Sequence, residues 1–258
     1  MDGSIGDHLE RARRGRFVGR AAEREAFGDA LAARPGSFQV LFVHGPGGVG
    51  KSALLTELGP LATAAGRRVG LVDGREMEPS PSGFVDAVAT ALGDGITAES
   101  VLLVDTFEWL VPIEGWLRRS FLPEVPAGSI VAIAGRRPPS GEWLADPGWR
   151  DRLHVVGLRN LSPDEVRAYA DIEGVPAALV DQVVSLTHGH PLALSLLVDA
   201  LVRAGARDRI PASWSEAPDL VRALVARIVD DAPSERELAA LHVCARARTT
   251  TEATLRAV

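Results

Sequence analysis

A chain of 258 residues with 46% hydrophobic and 24% charged residues has the mix of a globular protein, with room for one large domain or two modest ones. That mix excludes a collagen-like, disordered or membrane-spanning chain, and no run reaches the ~18 uninterrupted apolar residues a spanning helix needs. The net charge of −6 excludes a molecule that is basic overall and wraps nucleic acid by charge alone.

Arg11 to Arg16 is a basic stretch, expected to be an exposed lead-in. Ala21 to Ala33 predicts a short helix, stopped by Arg34-Pro35-Gly36. Phe38 to His44 is a compact β-branched and aromatic run, expected as a buried strand. It leads into a glycine-rich loop, Gly45 to Gly50. Ser52 to Ala65 then carries Leu54, Leu55, Leu58 and Leu61 at helical spacing. Arg68 to Val72 predicts a second strand, and Phe84 to Leu92 a helix closed by Gly93. Val101 to Val104, Ser129 to Ala134 and Leu153 to Val156 predict three more strands with helical material between them. Strands alternating with helices imply a parallel sheet of five strands covered on both faces, an α/β fold.

Beyond Gly157 strand signals fade. Ser162-Pro163-Asp164-Glu165 opens a helix with a capping serine, proline at the first helical position and acids in the first turn. Further helices are predicted over Pro176 to Leu186, Leu192 to Arg203, Pro218 to Val229 and Ser234 to Ala245, with a short piece from Glu252 to Val258. The change divides an α/β part, 1–157, from helical parts, 158–232 and 233–258.

Gly45-Pro46-Gly47-Gly48-Val49-Gly50-Lys51-Ser52 fits G-x-x-x-x-G-K-S/T, with a predicted strand before it and a helix, from Ser52 and Ala53 on, after it. Glycines let successive backbone N–H groups turn inward on phosphate oxygens, and the helix adds the positive end of its dipole. Lys51 would bridge the β- and γ-phosphates, and the Ser52 hydroxyl would ligate Mg²⁺. The composition supports this reading. Lys51 is the only lysine among 28 basic residues, the other 27 being arginine. A position that keeps a compact ammonium in such a chain is one where a planar fork does not serve.

Such a loop needs an acid at the end of a neighbouring buried strand. Val101-Leu102-Leu103-Val104-Asp105 supplies it, and Asp105 would hold Mg²⁺ with Ser52. Glu108 follows three residues later and could polarise an attacking water. The strand ending at Ala134 runs into Gly135-Arg136-Arg137, and ligands of such sheets sit at the carboxyl ends of strands. Arg136 is there a candidate γ-phosphate sensor.

These residues together make the chain resemble a STAND-class P-loop NTPase, the signalling branch related to AAA+ ATPases. Phe17-Val18-Gly19-Arg20-Ala21-Ala22-Glu23 is similar to that class's F-V-G-R-x-x-E motif, which implies that Val18 and Arg20 lie by the adenine. Leu158-Arg159-Asn160-Leu161-Ser162-Pro163-Asp164-Glu165 resembles the L-x-x-L-S/T-x-x-E opening of its helical lid. Thr187-His188-Gly189-His190-Pro191-Leu192-Ala193-Leu194 resembles the lid motif G-x-P-L-A-L, which implies Pro191 near the base of bound ADP. Residues 233–258 resemble the start of a winged-helix domain. Members of the class normally continue into repeats or an effector domain, so the resemblance implies a fragment or a minimal nucleotide-binding module. One departure is that Asp105 and Glu108 stand three apart, whereas AAA+ members often carry adjacent Asp-Glu.

The resemblance implies an ATP-binding, slowly hydrolysing signalling switch that uses ATP/ADP and Mg²⁺, with self-assembly or effector and sensor domains as partners. The alternatives are a DNA-linked, initiator-type or transcription-regulator ATPase with a winged helix, and a constitutive ATPase. The negative charge and the short C-terminal segment speak against DNA binding by this chain. Met1 to Arg16 lacks the apolar core of a signal peptide, and the single cysteine, Cys244, cannot close an internal disulfide. A cytoplasmic location without membrane contact is therefore expected. His188 and His190 belong to the lid motif, with no ligand cluster around them to suggest a metal pair.

Overall fold

A computed structural model of the chain describes residues 4–93, 95–203, 211 and 213–230. The predicted helices Ser234 to Ala245 and Glu252 to Val258, and the start of a winged-helix domain, lie outside the described residues.

The elements in order are α1 (Ile5–Gly15), α2 (Ala21–Leu31), β1 (Val40–His44), α3 (Lys51–Ala64), β2 (Arg68–Asp73), α4 (Pro81–Leu92), β3 (Ser100–Asp105), β4 (Ile130–Gly135) and β5 (Leu153–Gly157). Four longer helices follow: α5 (Pro163–Ile172), α6 (Ala177–Thr187), α7 (Pro191–Arg203) and α8 (Pro218–Asp230). The five strands form one parallel sheet in the order β2-β3-β4-β1-β5. β4 is therefore inserted between the strand that leads into the glycine loop and the strand that ends in Asp105. That order brings the carboxyl ends of β1, β3 and β4 to one edge, where α/β sheets bind ligands.

The sheet is covered on both faces, and the period of two shows it. Leu41 and Val43 of β1 face Phe27, Leu54, Leu55 and Leu58 of α2 and α3. Val40 and Phe42 face the other way, toward Phe84, Val88, Phe107 and Trp143. Phe42 meets Phe107 and Trp143 edge-on, with ring centroids 5.3 and 6.3 Å apart. The indole of Trp143 is fully buried and its Nε1–H donates to Glu114 Oε1 at 2.8 Å, so its one polar atom is satisfied. Burying a large apolar side chain is worth about 1.5–3 kcal/mol, and here the gain falls on the floor that carries the site. A separate apolar cluster, including Leu161, Val166, Val183, Leu194 and Leu197, holds α5, α6 and α7 together, with Val18 packed against it.

The structure refines several expectations. α4 begins at Pro81 because the Ser80 hydroxyl accepts from Gly83 N–H at 3.1 Å and proline fits the first turn. α5 has the full capping box, Ser162 and Glu165 each bonding the other's backbone. The basic stretch Arg11 to Arg16 is exposed, as expected, and residues 5–15 are helical, with Ile5 and Leu9 also largely exposed. Between β3 and β4 the chain makes short helical turns, including one of π type at Leu117–Phe121. No helix among the described residues is long and apolar enough to cross a membrane.

Candidate functional site

The loop between β1 and α3 takes its shape from glycine. Gly45, Gly48 and Gly50 have φ of 153°, 74° and 99°, a region that costs an L side chain energy. α3 starts at Lys51, with Gly50 as an N-cap that offers no side chain to the first helical N–H groups. Those donors and the helix dipole point at an anion. The Lys51 ammonium donates to the carbonyls of Gly45 at 2.8 Å and Pro46 at 3.0 Å, which hold it over the loop.

Beside the loop stand the acids. Asp105 closes β3, and its Oδ1 accepts from Thr106 N–H at 2.8 Å. Thr106 has φ 53°, unusual for a β-branched residue and a local strain of the kind found at sites of function. Its hydroxyl donates to Asp73, the last residue of β2 and the register partner of Asp105. Asp73 is also gripped by the Arg75 guanidinium at 2.7 to 3.3 Å. Burial opposes its charge, but the bonds from Arg75 and Thr106 outweigh it and bring the Asp73 carboxyl down to about 2.

Glu108 and Arg136 meet. Arg136 donates from Nε to Glu108 Oε1 at 3.2 Å and from its backbone N–H to Oε2 at 3.3 Å. The side chains are only 13% and 16% exposed, so the pair is held largely out of solvent. A Cβ placed on Gly47 would lie 3.8 Å from Arg136 Nη2, so this guanidinium also overlooks the loop.

The helices after β5 close the other side. Leu192 N–H, in the first turn of α7, donates to Gly48 O at 3.2 Å. A Cβ at Gly48 would be 2.8 Å from Leu192 Cβ, so only glycine permits this approach. Arg20 ties the parts together, its Nη2 donating to Val49 O at 2.9 Å and to Arg159 O at 2.7 Å. Leu161 N–H donates to Gly189 O at 2.8 Å, fixing the turn that leads into Pro191.

His190 lies in this seam, its Nδ1 accepting from Ala193 N–H at 3.4 Å. Burial lowers its pKa below the ordinary 6.5, and a hydrogen bond with the Gly47 backbone opposes that in part. A base whose folded pKa is depressed binds fewer protons folded than unfolded. Its contribution to stability is therefore fully present above pH ~6.5 and is lost as pH falls through the lowered folded value. His44, lowered by burial and then by the charge of Lys51, acts with the same sign. We predict that the melting temperature falls between pH 7 and 5, and falls less steeply in His190→Gln. Parallel slopes in thermal melts of the two proteins would refute a role for His190 in this dependence.

These walls enclose a cavity of about 470 Å³, within the range of small-molecule sites. It is lined by Gly47, Gly48, Val49, Gly50, Lys51, Ser52 and Ala53 of the loop, by Asp105, Glu108 and Arg136, by Val18 and Arg20, and by Pro191. Every site residue predicted from sequence is among them except Gly45 and Pro46, whose carbonyls support Lys51 from behind. Ser52 and Asp105 offer two hard oxygen donors to the same space. They suit Mg²⁺, which takes few protein ligands and keeps waters and phosphate oxygens. The sequence reading missed Arg75, Thr106 and Tyr169, which also line the cavity. Tyr169 is the single tyrosine of the chain and belongs to the amphipathic α5, where its spacing marks only a core position.

Comparison with known proteins bears on this arrangement. Residues 16–104 match the sequence model of the AAA ATPase domain. A search of curated proteins finds no match. Among solved structures, domain III of the replication initiation protein DnaA from Thermotoga maritima is similar at 18% identity and a TM-score of 0.53, over 81% of this chain and 94% of that one. The Aeropyrum pernix Orc1 protein in complex with DNA is similar at 16% identity and 0.53, over 93% and 76%. A variant of RuvB from Thermotoga maritima is similar at 17% identity and 0.53, over 93% and 82%. At such identities the likeness is one of fold. The chain thus has a P-loop, AAA+-like fold, with an AAA ATPase domain match over residues 16–104.

Proposed function

We propose that the chain binds ATP with Mg²⁺, hydrolyses it slowly and reports the nucleotide through the position of a helical lid, as a switch module of a STAND-type regulator. The observation that carries this reading is the double wall of the cavity. Lys51, Asp105, Glu108 and Arg136 line it from the sheet, and Pro191 and Leu192 line it from the helices beyond β5. A nucleotide there touches both parts, and it can shift the lid only by its differential affinity for the lid's two positions.

In this reading residues 1–157 form the nucleotide-binding part and residues 158–232 the lid. The loop N–H groups and Lys51 bind the phosphates. Mg²⁺, when bound, would supply positive charge to offset the charge that develops on the transferred phosphoryl group and the departing ADP, and Ser52 and Asp105 would hold it. Glu108 orients and deprotonates the attacking water. Arg136 senses the γ-phosphate, and its pairing with Glu108 means that moving to that phosphate also frees the base. Turnover in this reading is slow, below the ~10 per second of a median enzyme, because release of ADP waits on the lid. Further domains in a longer native chain would read the lid.

Pro191→Ala tests the switch. Stopped-flow release of a fluorescent ADP analogue should accelerate several-fold, about threefold or more, with the phosphate loop unaltered. Identical release rates would remove the lid from nucleotide retention. The initiator-type alternative also has the fold on its side, since one similar structure is an Orc1 protein in complex with DNA. Salt-dependent DNA binding by this chain would favour that alternative, and fast turnover without a partner would favour a constitutive ATPase.

A further inference from the structure

The end of β2 carries a group of residues to which no role has been assigned above. Asp73, Gly74 and Arg75 turn out of the strand in a short helical corner, and Arg75 N–H donates to Asp73 Oδ1 at 2.9 Å. The corner lies directly on the turn that follows Asp105. A Cβ on Gly74 would be 2.8 Å from the Thr106 carbonyl oxygen, so the two backbones touch. The Thr106 hydroxyl reaches across to Asp73, and the Thr106 backbone N–H holds the Asp105 carboxylate. Arg75 lines the same cavity as Lys51, Ser52, Asp105 and Glu108.

We propose that Arg75 is a further phosphate-contacting residue of this site, engaging the terminal phosphate of a nucleoside triphosphate, and that Asp73 is the positioning residue that presents it. The proposal rests on the nucleotide reading above and extends it. Three observations support it. The corner packs on the Asp105 turn, and Arg75 lines the cavity together with Asp105, Thr106 and Glu108. Its guanidinium is seated on the Asp73 carboxylate by hydrogen bonds of 2.7 to 3.3 Å, so its orientation is set before a ligand arrives. The Arg75 side chain is 51% exposed but that of Asp73 only 18%, so the fork must keep its bond to Asp73 while it reaches an anion, or a largely buried carboxylate would be stranded. The planar fork can bond Asp73 through one edge and a phosphate oxygen through another. Arg75 and Arg136 would then grip the terminal phosphate from β2 and from β4. Both would be silent toward a diphosphate. The strain at Thr106 fits this scheme, because one hydroxyl and one N–H in that unusual conformation link the Arg75 seat to the Asp105 carboxylate.

The test is calorimetric titration of the full chain with Mg²⁺-ATP and Mg²⁺-ADP. Arg75→Ala and the longer, polar Arg75→Gln should each lose about tenfold or more in ATP affinity, the scale of one charge-assisted hydrogen bond. Both should hold ADP affinity within about twofold. Asp73→Asn should reduce ATP affinity in the same selective sense by a smaller factor, because it loosens the seat and leaves the fork in place. An equal loss for ATP and ADP would overturn the proposal, as would no loss for either. Lys51→Ala separates this failure from that of the nucleotide reading. If Lys51→Ala abolishes binding and Arg75→Ala is silent, the site stands and Arg75 is no part of it. If the wild-type chain binds neither nucleotide, both readings fall.

Discussion

Lys51→Ala should reduce ATP affinity by at least about a hundredfold, the largest effect of any single change in the site. Lys51 is the only lysine in the chain, and its Nζ is held over the loop by two carbonyls. Neutralising it leaves the β- and γ-phosphate charges facing only backbone dipoles, and two lost charge-assisted contacts are worth about 3 kcal/mol or more. Lys51→Arg should also bind poorly. A planar fork cannot occupy the point between the Gly45 and Pro46 carbonyls and the phosphates. The fold should persist in both variants, because the apolar clusters beneath the loop are untouched. Calorimetry and thermal melts check both halves of the expectation. Native melting with undiminished ATP affinity would disprove the loop assignment.

Glu108→Gln should leave ATP affinity within a few-fold of wild type and slow hydrolysis by about a hundredfold to ten-thousandfold, the range expected when a general base is lost. The amide keeps the size of the side chain and can still accept from Arg136, so the turn after β3 should hold. What disappears is the ability to take a proton from water and the ionic part of the hold on Arg136. A secondary outcome follows from the 3.2 Å pairing. With its partner neutral, Arg136 is released to the phosphate, so ATP should be favoured over ADP somewhat more than in the wild type. Single-turnover measurements with saturating ATP separate chemistry from release. Unchanged turnover would mean that the base lies elsewhere and that Glu108 serves only to seat Arg136.

Much of the molecule was legible in the sequence, for identifiable reasons. Strands such as Val101 to Val104 and Ile130 to Ala134 are apolar on both sides because helices cover both faces of the sheet, and such runs have few other interpretations. The phosphate loop is a local motif, and its chemistry needs those residues at that spacing in any fold. Ser162 and Glu165 announced the start of α5 because a capping box is also local. What escaped were particular contacts between elements that the chain order keeps apart. Asp73 and Arg75 become part of the site only because β2 lies beside β3, which puts Asp73 in register with Asp105. Glu108 and Arg136 were read as two separate functions. They form one ion pair because β4 enters the sheet between β1 and β3. The approach of Leu192 to Gly48 required the helices after β5 to dock on the loop, and periodicity cannot show where a helix docks. Residues 5–15 form a helix whose apolar stripe is thin, Ile5, Leu9 and Ala12 standing at helical spacing among charged residues.

The central claim is that one nucleotide is held by the phosphate loop and by the start of α7 at once. Amide hydrogen exchange of the full chain, with and without saturating Mg²⁺-ADP, tests it most directly. Exchange should slow in two separated segments, residues 45–54 and residues 190–196, at the same ADP concentration. Protection of the loop with no change across residues 190–196 would contradict it, because the nucleotide would then bind without engaging the helices beyond β5.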